Sequence, residues 1–145
     1  MSSEVIHEVS EQRSRNMSAI KSKNTKPEIK VRKVLHSMGY RFRLHSKNLP
    51  GSPDIVLPKY KTVIFVHGCF WHRHHDPACA LARMPKTRLE FWEPKLEANR
   101  LRDIRNKEAL ETAGWRVLTV WECEVKEPLR IADRIRAVLG DRRGS

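Results

Sequence analysis

Thr62-Val63-Ile64-Phe65-Val66 is the stretch on which the fold turns. After Thr62 it is wholly apolar, β-branched or aromatic, and it reads as a strand. Downstream, residues 91–113 form a strongly charged helical pattern closed by Gly114, with Leu96, Leu101, Ile104 and Leu110 as its inner positions. Trp115-Arg116-Val117-Leu118-Thr119-Val120-Trp121 is a second β-rich run and reads as a central strand. Strand, helix and strand in that order predict a parallel pair joined by a crossover. Upstream, Asp54 to Leu57 is another short apolar strand. Pro58-Lys59-Tyr60-Lys61 links it to Thr62 as a hairpin. A hairpin followed by a parallel pair is a mixed sheet, and the class is α/β.

Further out, a helix is expected over residues 26–38. Thr25 is its N-cap, Pro27 lies in its first turn, and Glu28 completes a capping box. Val31, Val34, Leu35 and Met38 make one buried stripe, and Gly39 ends the helix. Tyr40, Phe42 and Leu44 alternate with Arg41, Arg43 and His45, the pattern of a half-buried strand. Residues 48–53 are turn-rich. Leu129 to Leu139 is a final amphipathic helix with Ala132, Ile135, Val138 and Leu139 inward.

The chain has 145 residues and a formal charge of +12. The charge is concentrated: residues 13–47 hold eleven Lys and Arg against Glu28 alone. Such a surplus points to a polyanion, and to nucleic acid before a membrane surface. Residues 1–12 carry three Glu and no Lys or Arg, and are expected to be a flexible acidic leader. Residues 13–140 are expected to be one domain, and 141–145 a polar tail. No run is long and apolar enough for a transmembrane helix, and the N-terminus lacks the apolar core of a secretory signal. Three cysteines in a reducing compartment suggest metal or free thiols rather than a disulfide framework.

Four groups of residues carry chemistry. Asp54, after Pro53 at a strand start, can offer a carboxylate to a hard ion such as Mg²⁺. Cys69, His74, Cys79 and Cys123 supply a Cys₃His set for zinc, with His75 an alternative to His74. His67, His72, His74 and His75 fall within nine residues, so those not bound to metal are candidates for proton transfer. Phe70-Trp71 and Phe91-Trp92 are aromatic pairs in a basic context, suited to stacking on or wedging between bases.

Two strings, Phe65-Val66-His67-Gly68-Cys69-Phe70-Trp71-His72 and Pro85-Lys86-Thr87-Arg88-Leu89-Glu90-Phe91-Trp92, resemble the very short patch repair (Vsr) DNA mismatch endonucleases. Residues 13–20, Pro50-Gly51-Ser52-Pro53-Asp54 and Gly114 to Cys123 fit the same family. The resemblance implies a restriction-endonuclease-like core, a mixed central sheet flanked by helices, with a zinc-stabilised loop. It implies a bacterial, cytoplasmic enzyme that nicks double-stranded DNA 5′ to T in a T:G mismatch left by deamination of 5-methylcytosine. By the same resemblance, Asp54 and the Val66 backbone carbonyl hold catalytic Mg²⁺, and His72 activates water. Glu28 and His67 support the site, with Glu28 holding water at the metal, and Asp103 orients a histidine. Cys69, His74, Cys79 and Cys123 match the structural Zn²⁺ site. The His74-to-Cys79 spacing is longer than in compact members, which leaves His74 and His75 both open as the ligand. Phe70, Trp71 and Trp92 match the aromatic wedge, and Arg15 and Asn16 fall in a DNA-contacting segment. One active site suffices for nicking, so a monomer is expected, with repair-pathway proteins as further partners.

Overall fold

The computed structural model describes residues 25–140. The leader, the tail, and Arg15 and Asn16 lie outside the described residues.

Helix α1 spans Lys26–Ser37. Thr25 caps it, its Oγ1 accepting from the Glu28 N–H at 3.2 Å. The other half of the capping box is not used, because the Glu28 carboxylate turns into the protein. Val31 and Leu35 are fully buried, with Val34 and Met38 packed partly against them. The chain leaves the helix through Gly39 at φ +85°, a left-handed conformation that glycine adopts without strain.

Strand β1 is only Arg43–Leu44, shorter than the alternation over residues 40–45 predicts. Tyr40 is buried, but Leu44 is 40% exposed. Among the described residues β1 pairs on one side only, antiparallel to β2 (Ile55–Leu57), which leaves it a short edge strand. A single turn of 3₁₀ helix at Pro58–Tyr60 and a left-handed Lys61 close the hairpin to β3 (Thr62–His67). Helix α2 (Leu89–Thr112) crosses over to β4 (Arg116–Trp121). β3 and β4 are parallel, in register from Thr62 opposite Arg116 to His67 opposite Trp121. The order is β1-β2-β3-β4. β4 therefore lies at an edge among the described residues, not in the centre. The interior place goes to β3, which is buried at five of its six positions. A 3₁₀ segment at Glu122–Lys126 leads into α3 (Pro128–Leu139).

Alternation along β3 sends its side chains to two cores. Ile64 joins Val31, Leu35, Val120, Ile131 and Ile135 beneath α1 and α3. Val63 and Phe65 join Val56 and Leu110 beneath α2. Each such aliphatic side chain contributes about 1.5–3 kcal/mol on burial, so the sheet is clamped between helical layers. One expectation for α2 fails. Leu96 and Leu110 are buried, but Leu101 and Ile104 are about 40% exposed. The inward stripe runs instead through Leu96, Asn99, Asp103, Asn106 and Leu110. Three of its five places are polar: Asn99 meets the loop after β3, Asp103 the cleft, and Asn106 the loop before β2.

Candidate active site

β3 and β4 end side by side at His67 and Trp121. The loops that follow open into a cleft of about 490 Å³, lined by Glu28, Asp54, Val66, His67, His72 and Asp103 among others. Ligands in α/β sheets commonly lie beyond such carboxyl ends.

Asp54 arrives on the turn-rich loop. Gly51, at φ +76°, lets that loop lie on α2, where a Cβ would meet the Asn106 side chain at 3.0 Å. Asp54 Oδ2 accepts from the Val66 N–H at 2.7 Å, fixing the carboxylate to β3. Burial raises its pKa from 3.8 to about 6; the Val66 hydrogen bond opposes the rise and the Glu28 charge adds to it. A desolvated carboxylate near a second acid is the situation a cation relieves. Asp54, Glu28 and the Val66 carbonyl offer oxygen only, which suits a hard divalent ion.

His72 sits in the tight turn after β3, its N–H donating to the Gly68 carbonyl at 3.1 Å. Its Nδ1 lies 2.6 Å from Asp103 Oδ2. That contact assigns the proton to Nδ1 and leaves Nε2 as the acceptor. His67 stacks on His72, with centroids 3.9 Å apart and planes 4° from parallel. Burial, and then the neighbouring His72, lower the His67 pKa from 6.5 to about 3, so it is neutral at physiological pH. His67, His72 and Asp103 bring ligand atoms within 4.8 Å of one another. Parallel rings, however, hold their nitrogen lone pairs in parallel planes, which do not converge on one ion. The trio places a histidine–aspartate hydrogen bond and a stacked neutral imidazole at the cleft.

Beside the cleft, Cys69, His74, Cys79 and Cys123 place their ligand atoms within 4.8 Å of one another. Ligands around tetrahedral zinc stand about 3.8 Å apart, for Zn–S distances near 2.3 Å. The donor set is thus compatible with a metal after a small contraction. Cys123 donates its N–H to Cys69 Sγ at 3.4 Å. His74 Nδ1 lies 3.6 Å from Cys123 Sγ, and its ring stacks on Trp121. His75 is exposed and stands outside the cluster. Burial pushes the Cys69 thiol well above its ordinary pKa. The cluster ties the loop after β3 to the segment after β4, and His72 lies on that tied loop.

Phe70, Trp71 and Trp92 pack edge-to-face, with centroids 5.3–5.8 Å apart. Trp71 is only 6% exposed, so Phe70 and Trp92 are the half-exposed members. Asn99 Nδ2 donates to the Trp71 carbonyl at 3.2 Å and anchors the loop on α2. Sequence reasoning missed Asn99, although its place between Leu96 and Asp103 on one helical face was a usable signal. It also missed Arg32 and His45, which converge on Glu28. His45 occupies the polar phase of the 40–45 alternation, which reads as solvent-facing.

A mixed sheet between helices, with Asp54, a histidine–aspartate pair and a metal-type cluster gathered at the end of the sheet where β3 and β4 terminate, is an arrangement of the restriction-endonuclease-like fold class. The chain resembles the "Homing Endonuclease I-Bth0305I Catalytic Domain" at a TM-score of 0.54 and 21% identity, over 79% of this chain and 94% of that one, a likeness of fold. The family DNA mismatch endonuclease Vsr matches residues 6–79. The type II nicking enzyme V.XorIIP of Xanthomonas oryzae is 54% identical, covering 85% of this chain and 88% of the relative. DNA mismatch endonuclease Vsr of Escherichia coli is 45% identical, covering 83% and 76%. The chain belongs to the Vsr DNA mismatch endonuclease family and is a DNA endonuclease. No helix among its described residues is long and apolar enough to cross a membrane.

Proposed function

We propose that this endonuclease nicks one strand of double-stranded DNA on the 5′ side of T in a T:G mismatch, by Mg²⁺-dependent phosphodiester hydrolysis. The observation that carries the reading is the convergence of Asp54, Glu28, His67, His72 and Asp103 on one cleft. Asp54 and the Val66 carbonyl would hold Mg²⁺, with Glu28 beside them. Bound there, the ion supplies charge neutralisation at the scissile phosphate. His72 Nε2 takes a proton from the attacking water. Asp103 holds the His72 tautomer and favours the imidazolium that results. Neutral His67 supports the His72 ring by stacking without adding competing charge. Cys69, His74, Cys79 and Cys123 would hold a zinc ion, and, so joined, would keep the His72 loop in place.

Phe70 and Trp92, the half-exposed members of the aromatic cluster, provide selectivity, and Trp71, expected from the sequence as a wedge residue, is buried and packs behind them. Inserting aromatic rings between base steps costs a few kcal/mol in unstacking, and a mismatched step costs least. The +12 charge holds phosphates of any sequence and contributes affinity rather than selectivity. The protein works as a monomer in the bacterial cytoplasm, on DNA.

Two results are expected. With Mg²⁺, a T:G duplex is nicked at least about tenfold faster than the T:A duplex of the same sequence, one unit of about 1.4 kcal/mol in discrimination. Strand-resolved denaturing gels give the rates, and equal rates would remove the mismatch claim while keeping the nuclease. Asp103→Asn lowers the single-turnover rate about 10²-fold or more, on the scale of general acid–base catalysis. DNA affinity, read by a binding titration, stays unchanged. A wild-type rate in this variant would detach Asp103 from catalysis.

A further inference from the structure

Glu28 is only 1% exposed. Its backbone N–H serves the helix cap, while its side chain leaves the helix end and enters the protein. Two side chains from different parts of the chain then meet one of its oxygens. Arg32, one turn further along α1, brings Nη2 to Glu28 Oε2. His45, from the segment after β1, brings Nε2 to the same oxygen at 2.6 Å. Arg32 Nη2 and His45 Nε2 are themselves 3.4 Å apart.

The asymmetry is informative. An Arg–carboxylate pair that serves stability alone gains most from a two-pronged contact using both oxygens. Here both partners crowd onto Oε2, and no donor among the described residues meets Oε1. Glu28 lines the catalytic cleft, whereas Arg32 and His45 stand behind it and do not. His45 is also linked to the proposed metal acid, since its backbone N–H donates to the Asp54 carbonyl at 3.0 Å. It does so at φ +51°, a left-handed conformation that costs a non-glycine residue energy. Strain held at this point fits a position fixed for the site.

We propose that Arg32 and His45 are positioning residues for hydrolysis: they pin Glu28 Oε2 so that Oε1 is presented to the cleft beside Asp54, as the acceptor for a water molecule of the reacting centre. The inference rests on the reading of Glu28 as a working member of the site. Arg32 fixes the carboxylate from its own helix, and His45 fixes it from the strand side. Together they couple the placement of Glu28 to that of Asp54, because one residue, His45, contacts both.

The test measures single-turnover nicking of a T:G duplex, DNA affinity and the Mg²⁺ half-saturation concentration. The proteins are wild type, Arg32→Ala, Arg32→Lys, His45→Ala, His45→Gln and Glu28→Gln. Partners of this kind, one step behind the reacting groups, typically change activity or metal affinity by about 10–100-fold. Arg32→Ala and His45→Ala are expected to lose that much in rate or Mg²⁺ midpoint, with DNA affinity unchanged. Arg32→Lys and His45→Gln, which keep a donor near the same place, lose less. Added guanidinium at sub-denaturing concentration partly restores Arg32→Ala and leaves Glu28→Gln inactive. A merely structural pair would not respond in this way. Its removal lowers the thermal midpoint, but the folded fraction nicks at the wild-type rate and guanidinium does nothing. That result overturns the proposal, and so do wild-type kinetics in the two alanine variants. If Glu28→Gln itself nicks normally, the reading of Glu28 falls and the proposal falls with it. If Glu28→Gln is inactive while both alanine variants are normal, the Glu28 reading stands and only the proposal is lost.

Discussion

Asp54→Asn is expected to abolish nicking and, in the same protein, to raise the thermal midpoint measured without metal. Both effects come from one carboxylate. Burial, opposed by the Val66 hydrogen bond, lifts its pKa from 3.8 to about 6. A raised acid pKa means that the folded state disfavours the ionised form. The penalty is absent below about pH 4, grows as the pH rises through 6, and is complete at pH 7. At roughly 1.4 kcal/mol per pKa unit, it amounts to about 2–3 kcal/mol in the metal-free protein. Asparagine keeps an oxygen to accept the Val66 N–H but carries no charge, so the penalty disappears. The midpoint then rises by roughly 7–10 °C at pH 7, and the loss of stability between pH 4 and 6 flattens. Catalysis moves the other way. An ion at this position is worth several kcal/mol to a phosphodiester transition state, about 10³-fold in rate. Differential scanning calorimetry with EDTA and a nicking assay with Mg²⁺ check the two halves. An active Asp54→Asn protein would remove the metal assignment. An inactive but less stable one would show that the carboxylate is not strained by burial.

How much of this was legible in the sequence depends on what each position must satisfy. β3 was plain, because a strand buried on both faces has no choice but an unbroken apolar run. The parallel pairing with β4 followed from the helical segment between them. β4 itself was misplaced: Trp115 to Trp121 is as β-prone as a central strand, yet among the described residues it lies at an edge, where Trp121 stacks on His74. α2 shows the limit most clearly. Its inward stripe holds Asn99, Asp103 and Asn106, so a search for apolar periodicity selected Leu101 and Ile104 instead, which face solvent. Polar residues on an inward face mark where the helix meets the cleft and the loops rather than an apolar core. Glu28 was ambiguous for a related reason: Thr25 and its N–H form half of a capping box, and only the direction of the carboxylate separates cap from site. His45 left no trace, since a polar residue in a half-buried strand has an ordinary explanation.

The loop after β3 carries the other large effect. His74→Ala is expected to lose bound zinc, most of the cooperative unfolding transition and nearly all nicking, whereas His75→Ala retains all three. The two histidines are neighbours in sequence but not in role. His74 Nδ1 belongs to the cluster with Cys69, Cys79 and Cys123, while His75 is exposed beyond it. A closed tetrahedral site of this type contributes on the order of 10 kcal/mol of apparent binding energy, comparable with the whole stability of a domain this size. Its loss therefore frees the segment that carries His72. Proton release should accompany zinc binding, because the Cys69 thiol, pushed up by burial in the bare protein, must ionise to become a ligand. Metal analysis of the purified variants and calorimetric unfolding give the comparison. Zinc retained in His74→Ala and lost in His75→Ala would exchange the two assignments; zinc absent from the wild-type protein would remove the centre. Loss of nicking in His74→Ala with zinc still bound would instead bring the histidine into the reaction, which its place against Trp121, with His72 rather than His74 lining the cleft, argues against.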